Sequence, residues 1–406
     1  MKLHPISSAD LTASLSVSFL TVAAGAALGE WTGIGAFAGI ISMAGASVVG
    51  SVFGGIPVKV SGLSAITGAL YISILANTAL TSESIVWAML VASLALFIAG
   101  WYRAARIMQY IPNTVIAGFI NGVAILLIYK QLQKIFSNGL VFENLNTESY
   151  IALATVVLLL AWRYISAQPM LHKVGGIISG SLLAMVLGGT AQYWYQFDVG
   201  TLSVTLSSLS EIITIPSLDV FLANAGVILI QGLMIAFIVL VATLITARAL
   251  DPDADYDAEL KNQSLTNLFA GLVGGFPTTL GFIRTVILKR NQASSVWAGI
   301  FVGIWTLAIV FFLTGLLTFI PTSVFTGILL IAGYRAIDTT IFKEHTHNQH
   351  YYAGLAIFFL VAYLTFIGQL AVAVILGSAL WQLCIWLPKL HMKDLSKHTP
   401  GVTIGD

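Results

Sequence analysis

The sequence predicts an all-α polytopic membrane protein with fourteen transmembrane segments, arranged as two inverted repeats of seven segments. Three observations predict this fold: the composition, the number of apolar runs, and two short motifs that each occur twice in the same order. Hydrophobic residues make up 58% of the 406 positions and charged residues 9%, whereas soluble proteins contain about 25% charged residues. This composition indicates that the lipid bilayer surrounds the protein, and the net charge of +1, with basic residues standing singly or in pairs, argues against nucleic acid as a partner.

The apolar runs give the number of segments, because a transmembrane helix needs about 20 predominantly apolar residues and an interrupted helix can be shorter. They cover approximately residues 11–29, 33–53, 62–78, 84–101, 112–136, 149–166, 174–193, 223–249, 262–274, 281–290, 295–317, 322–335, 351–367 and 369–387. The third and tenth runs are short, and each follows a Gly-Gly-x-Pro sequence, in which x is any residue.

The two repeated motifs predict the internal symmetry. The Gly-Gly-x-Pro sequence begins at Gly54 and again at Gly274, and an Ile-Pro-x-x-Val-x-x-Gly sequence begins at Ile111 and again at Ile320. These pairs match the third segment with the tenth and the fifth with the twelfth, so the repeating unit has seven segments. Because seven is odd, the second copy must enter the membrane from the opposite side.

The distribution of basic residues predicts the orientation, since Lys and Arg in short loops stay cytoplasmic. The connections that lie inside, if the N-terminus is inside, hold most of the Lys and Arg residues, whereas the longest outer loop, from Gln192 to Ala223, holds none. Lys130 and Lys134 are the exceptions. We therefore expect a cell (inner) membrane protein with both termini cytoplasmic. Its regions are a first repeat (1–193), an outer loop (194–222), a second repeat (223–387) and a cytoplasmic tail (388–406).

The stretch from Gly274 to Thr285 carries the functional prediction. Its Gly-Gly-Phe-Pro start cannot continue a helix, so we expect an extended segment and then a short helix that begins near Thr279 to Phe282 and has Arg284 in its first turn. A helix start offers unpaired N–H groups and a positive dipole end, and both favour an anion. An arginine at membrane depth also needs a partner.

Inverted copies place the third and tenth helices antiparallel, as half-helices whose N-terminal ends meet near the membrane midplane. This geometry favours a negative solute, and acidic residues are almost absent from the interiors of the predicted segments. The best donors are expected to be the backbone N–H groups of the two helix starts, at Leu63, Ser64, Phe282 and Ile283. The candidate substrate-binding residues from the two starts are Gly62, Leu63, Ser64, Ala65, Thr279, Gly281, Phe282, Ile283 and Arg284.

Several of these residues have an alternative structural interpretation. Arg284 could extend to the cytoplasmic surface beside Lys289 and Arg290. Lys59 could contact the substrate or pair along the pathway, or it could be a charge at the rim of the pathway. Ser64, Thr67 and Thr279 could bond backbone instead of substrate. Further residues are interpreted as structural: Gln131, Asn121 and Gly122 at helix interfaces, and Glu259 in a helix-end contact with Arg248 or Lys261. Glu344, His345, His347 and His350 resemble a metal cluster, but their irregular spacing argues against a metal site.

Together these segments resemble the SulP anion permease family, which is related to the SLC26 carriers. The most specific pieces are the stretch from Asp257 to Asn267 running into Gly274 and Arg284, the stretch from Ile111 to Gln131, the triplet Val60-Ser61-Gly62, and the stretch from Gly327 to Tyr334. The resemblance implies a UraA/SLC26-like fold with a core domain that carries the substrate, a gate domain, and an elevator-like movement between them.

Four departures from the family pattern modify this expectation. Ala242 stands where members usually carry an acid in the eighth helix, so coupling to sodium or protons through that position is not expected. Phe19-Leu20 replaces a Pro-Gln pair in the first helix, which adds Phe19 to the candidate site, and Leu63 replaces a proline. The family typically ends in a cytoplasmic STAS domain. This sequence does not include one, so it is either a piece of a longer protein or a member without that domain.

The expected function is secondary active or exchange transport of small anions of the sulfate, bicarbonate, chloride or dicarboxylate class. One alternative is a nucleobase permease of the same fold, which would need carboxylates in the eighth and tenth helices. Another is a channel-like or anion-sensing membrane protein. No arrangement of nucleophile, base and orienting group supports an enzyme, and no cofactor or metal is expected. A homodimer stays open.

Overall fold

A computed structural model describes residues 6–77, 81–136, 145–166, 168, 180–202, 213, 215–339 and 351–386. These residues form fourteen α-helices, a short 3-10 helix at Ala104–Tyr110 and two short strands. The helices are α1 (Ser8–Thr32), α2 (Ala36–Val52), α3 (Ala65–Asn77), α4 (Ser82–Trp101), α5 (Asn113–Ile135), α6 (Thr147–Ser166), α7 (Gly180–Tyr195), α8 (Leu218–Leu250), α9 (Tyr256–Leu272), α10 (Phe282–Arg290), α11 (Val296–Leu317), α12 (Thr322–Ala336), α13 (Tyr351–Phe366) and α14 (Leu370–Trp386). The strands are β1 (Ser61–Leu63) and β2 (Thr278–Leu280).

Each apolar run of the sequence overlaps one of these helices, in the same order. Five helices, namely α1, α4, α5, α6 and α8, are long and apolar enough to cross a membrane by length and composition, so the count of fourteen transmembrane segments stays a prediction. The longest extension of a helix ahead of its apolar run is in α9, which begins six residues before that run. There Asp255 caps the helix by accepting the Ala258 N–H at 2.9 Å, and the first turns carry buried polar residues that a search for apolar runs passes over.

The helices pack as two bundles. One consists of α1–α4 and α8–α11, in which α4 packs against α8 and α9 while α11 packs against α1 and α2. The other consists of α5–α7 and α12–α14, in which α5 packs against α12 and α13 while α6 packs against α12 and α7. Between the bundles, α1 contacts α7 and α12, α3 contacts α5, and α8 contacts α14. Two bundles are what the resemblance implies, with one as the core domain and the other as the gate domain.

The packing also has the symmetry that the repeated motifs predict. If each helix is exchanged with the one seven places away, the α4–α8 contact becomes α11–α1, α4–α9 becomes α11–α2, and α5–α13 becomes α12–α6. Strands β1 and β2 are exchanged with each other, and they run antiparallel. The two copies therefore point in opposite directions where they meet. This pattern supports a repeat of seven helices, while the residue boundaries of the repeats stay a prediction.

Helix α5 shows how small residues allow close packing in this fold. A Cβ atom on Gly122 would lie 2.6 Å from the Ala362 carbonyl oxygen, so α13 could not approach α5 as closely with any other residue there. The Asn121 carboxamide donates to the Ala117 and Asp338 carbonyl oxygens at 2.9 and 3.0 Å and accepts from the Asp338 N–H at 3.2 Å. Both residues thus have the packing role expected of them, and Asn121 also ties α5 to the end of α12.

Candidate anion-binding site

The two short strands bring the third and tenth helices together. In the antiparallel pair, Ser61 lies opposite Leu280, Gly62 opposite Thr279 and Leu63 opposite Thr278. The N–H of Gly281 extends the pairing by donating to the Val60 carbonyl at 2.8 Å. Each strand leads directly into its helix, which confirms the expected extended segment followed by a short helix. The starts of α3 and α10 therefore flank one short ladder, and their depth in the membrane stays a prediction.

Arg284 lies over this ladder as the third residue of α10. The residue is 6% exposed, and its side chain folds back so that a Cβ atom on Gly62 would lie 2.8 Å from Nη2 and one on Gly281 2.9 Å from the same atom. The surface alternative for Arg284 is therefore wrong, although Lys289 and Arg290 farther along the helix are exposed. The two glycines leave the room that the guanidinium occupies.

The guanidinium has little compensation from the protein. Its Nη1 donates to the Met43 thioether sulfur at 3.1 Å, and a thioether is a weak acceptor. Among the described residues, the only ion pair between basic and acidic side chains joins Lys59 to Glu259 and does not involve Arg284. A guanidinium has several N–H donors, so with one weak acceptor Arg284 keeps N–H groups that are available to a ligand.

The start of α10 adds further donors. Gly281 occupies the N-cap position and has no side chain to cap the helix. The first intrahelical bond runs from the Thr285 N–H to the Gly281 carbonyl at 3.1 Å, so the N–H groups of Phe282, Ile283 and Arg284 have no acceptor within the helix. Ile283 is 61% exposed, which keeps this turn open on one side. Arg284 and these amides together form a cationic corner with unsatisfied donors.

The start of α3 is different and corrects part of the sequence prediction. The Ser64 hydroxyl accepts the Thr67 N–H at 3.2 Å, and the Thr67 hydroxyl accepts the Ser64 N–H at 3.2 Å. The Leu63 N–H points to the Met43 sulfur at 3.0 Å. The amides of Leu63 and Ser64, expected to bind the anion, already have acceptors inside the protein. Ser64 and Thr67 are three residues apart, and this reciprocal arrangement at a helix start resembles a capping box, whose spacing is visible in the sequence.

The remaining candidates lie around the same ladder. Gly62 and Leu63 are buried in β1, Thr279 is buried in β2 opposite Gly62, and Ala65 is the half-buried first residue of α3. Phe19 is half-buried and packs against the hydrophobic core from α1, the helix that contacts β1, α3 and α10. Met43 was missed, because a methionine in an apolar helix is indistinguishable from an ordinary core residue.

Lys59 and Glu259 form a separate buried ion pair. The Lys59 Nζ lies 2.6 Å from the Glu259 Oε2, and both side chains are fully buried. The expected contact of Glu259 with Arg248 or Lys261 is therefore wrong, and the Lys261 ammonium lies over the Trp101 ring at 5.6 Å instead. Of the two buried cations near the ladder, Lys59 has a carboxylate partner in the described structure and Arg284 does not.

The remaining predicted positions lie in α8, in α5 or outside the described residues. Ala242 is buried in α8, and the neighbouring Thr243 hydroxyl has no hydrogen-bond partner among the described residues. The Gln131 carboxamide is buried in α5, and the part of the chain that the structure describes offers it no hydrogen-bond partner. Within the described residues no group of three or more His, Cys, Asp or Glu side chains could hold a metal. Glu344, His345, His347 and His350, and the tail from 388 to 406, lie outside the described residues.

Comparison with known proteins identifies the family. The model of the sulfate permease family matches residues 8–361. The bicarbonate transporter BicA of Picosynechococcus sp. is 25% identical over 401 residues, which are 91% of this chain and 68% of the relative. The chain thus spans about two thirds of the length of this relative.

Solved structures show the fold. The transmembrane domain of a cyanobacterial BicA superposes with a TM-score of 0.78 at 21% identity, covering 90% of this chain and 97% of that one. The overall structure of SLC26A9 gives a TM-score of 0.76 at 16% identity, covering 92% of this chain and 64% of that one. Since the family model matches most of the sequence, the resemblance is confirmed, and this multi-pass membrane protein belongs to the sulfate permease family.

Proposed function

We propose that the protein is a secondary carrier of small anions and that it binds its substrate at the start of α10, against the Arg284 guanidinium. The observation that carries this proposal is the burial of Arg284 without a carboxylate partner in the described structure. A buried charge without a counter-ion is strongly unfavourable, and a bound anion would supply that counter-ion. The N–H groups of Phe282 and Ile283 would replace part of the anion's hydration shell.

The class of anion follows from the donors and from the relatives. One guanidinium and one uncapped helix end suit sulfate, bicarbonate, chloride or a small dicarboxylate, because all of them accept hydrogen bonds from such groups. The matching family is named for sulfate, and BicA is named for bicarbonate. No step in this scheme breaks a covalent bond, so the function is transport and not catalysis.

The packing supports an elevator-like movement. Every residue placed around the guanidinium, namely Met43, Gly62 and Gly281, belongs to the core bundle or to the ladder attached to it. A site built on one bundle can move as a rigid body past the other and be exposed on alternate sides of the membrane. The core bundle would then carry the anion, and the gate bundle would stay in place.

Exchange or uniport is the mode that the site favours over sodium symport. Ala242 provides no carboxylate for a cation, and the empty carrier would have to move with Arg284 uncompensated. Moving with a bound anion in both directions avoids that cost, so exchange is the stronger expectation. We propose that the protein lies in the cell (inner) membrane with both termini cytoplasmic and that it forms a homodimer.

Calorimetry of the purified protein tests the binding site. Wild type is titrated with sodium bicarbonate and, separately, with sodium sulfate. We expect Arg284→Ala to abolish the binding heat, since each hydrogen bond to a charged group contributes about 1.5–3 kcal/mol. Arg290→Ala, which removes an exposed arginine at the other end of the same helix, is expected to bind like wild type. Equal affinity in Arg284→Ala and wild type would remove Arg284 from the site.

A further inference from the structure

One face of α9 carries a row of buried polar side chains. Glu259, Asn262, Gln263, Thr266 and Asn267 are each at most 1% exposed, and their spacing of three or four residues puts them on the same side of the helix. That helix contacts α2, β1 and β2. Buried polar groups are costly unless they are hydrogen-bonded, so the partners of this row show what the helix holds.

Asn267 pairs with β2 as a third strand would. Its Oδ1 accepts the Thr278 N–H at 2.8 Å, and its Nδ2 donates to the Thr278 carbonyl at 3.0 Å. The outer edge of a two-stranded ladder otherwise leaves such groups unpaired, and a ladder of two strands is marginal alone. A carboxamide has the donor and the acceptor of a peptide group. Asn267 therefore completes the ladder at Thr278.

Gln263 reaches the other strand from the same face. Its Nε2 donates to the Ser61 hydroxyl at 2.7 Å and to the Glu259 Oε1 at 3.3 Å. Glu259 in turn holds Lys59, two residues before β1. One turn apart on α9, Gln263 and Asn267 thus fix β1 and β2 respectively, and the register between the strands depends on both.

We infer that Asn267 and Gln263 are positioning residues for the anion site. Thr278, which Asn267 holds, lies three residues before Gly281 and six before Arg284, so the place of β2 decides where α10 begins and where the guanidinium lies over Gly62. This inference rests on the proposed function. Neither residue touches the anion, and α9 carries the site as part of the core bundle.

The test compares Asn267→Ala with Thr266→Val. Thr266 is the adjacent residue and is also fully buried, but its hydroxyl bonds the Asn262 carbonyl within α9 and leaves β2 untouched. The dissociation constants for sodium bicarbonate and sodium sulfate are measured by calorimetry, together with KM and kcat for uptake into proteoliposomes and the rise in Tm that each salt produces. We expect Asn267→Ala to weaken binding about tenfold or more, since two hydrogen bonds to the strand are lost. We expect Thr266→Val to stay within about threefold of wild type.

The outcomes distinguish a failure of the proposed anion transport from a failure of the positioning role of Asn267. A wild-type protein that binds and transports none of sodium bicarbonate, sodium sulfate, sodium chloride and a small sodium dicarboxylate refutes the proposed function. If wild type binds and Asn267→Ala shows only a lower Tm, with unchanged Kd, KM and salt-induced stabilisation, the positioning role is refuted and the proposed function stands. Equal losses in Asn267→Ala and Thr266→Val also refute it, because they indicate a general effect on α9.

A second variant keeps the test open if Asn267→Ala does not fold. Gln263→Met has nearly the same side-chain length, removes the donor to the Ser61 hydroxyl and to the Glu259 Oε1, and leaves the Asn267 pairing intact. We expect it to weaken anion binding about tenfold as well. Wild-type affinity in a folded Gln263→Met protein would overturn the inference for β1.

Discussion

The buried pair of Lys59 and Glu259 gives a prediction about stability in which the two partners are unequal. The Lys59 ammonium has two acceptors, the Glu259 carboxylate at 2.6 Å and the Phe53 carbonyl at 2.5 Å. Glu259 has three further neutral donors, which are the Gly55 N–H at 3.2 Å and the carboxamides of Asn262 and Gln263 at 3.3 Å each. Without its partner, the carboxylate would therefore be better compensated than the ammonium.

The magnitudes follow from what each substitution leaves behind. Glu259→Gln leaves a buried ammonium with no counter-ion, and breaking a buried pair in this way costs on the order of 3–5 kcal/mol. Lys59→Met leaves a carboxylate with its three donors, so the loss should be nearer to that of one unsatisfied group, on the order of 1–3 kcal/mol. The double variant contains no buried charge at this place. It should lose less than the sum of the single variants.

Unfolding by SDS in mixed micelles, followed by circular dichroism, measures these differences. We expect the free energy of unfolding to fall from wild type to Lys59→Met and further to Glu259→Gln. The double variant should lose less stability than the sum of the two single losses. Lys261→Met is the matched control, because Lys261 on the same helix contacts the Trp101 ring and has no part in the pair. Equal losses in both single variants, adding up in the double variant, would refute this description of the pair.

Two smaller changes test the ladder and the capped helix start. Gly62→Ala would place a methyl group 2.8 Å from the Arg284 Nη2, so we expect a loss of anion affinity of at least tenfold in calorimetry. Gly226→Ala, where nothing lies within 4 Å of the added methyl group, is the control. A wild-type Kd in Gly62→Ala would contradict the placement of the guanidinium. Ser64→Ala removes the cap on the Thr67 N–H and should lower the free energy of unfolding by about 1 kcal/mol, whereas unchanged stability in the same SDS assay would count against the cap.

Local patterns in the sequence predicted much of the fold. Apolar runs located the helices because each must cover hydrocarbon along its length. The Gly-Gly-x-Pro breaks located the ladder, and the distance from Pro277 to Arg284 placed the arginine in the first turn of α10. These features depend on neighbours in the chain. The helix α9 was harder, since its first turns are polar and buried and resemble a loop in sequence.

Contacts between distant residues could not be predicted in this way. Lys59 and Glu259 are 200 residues apart, and Glu259 had nearer candidate partners in Arg248 and Lys261. Met43 contacts the Arg284 guanidinium although the two residues are 241 positions apart in the sequence. Asn267 and Thr278 are closer in the sequence. Their hydrogen bonds nevertheless require the outer edge of β2, which forms only when β1 and β2 pair. The burial of Arg284 without a counter-ion likewise emerged only when both halves of the fold were together.

The central claim is that the protein carries anions by binding them at this corner and moving them in exchange. Counterflow in proteoliposomes tests it most directly: vesicles loaded with unlabelled bicarbonate or sulfate are diluted into the labelled salt, and uptake is recorded with and without a sodium gradient. We expect uptake that depends on the internal anion, does not require sodium, and is lost in Arg284→Ala. Conductive current far above the turnover of a carrier, or the same uptake in Arg284→Ala as in wild type, would contradict it.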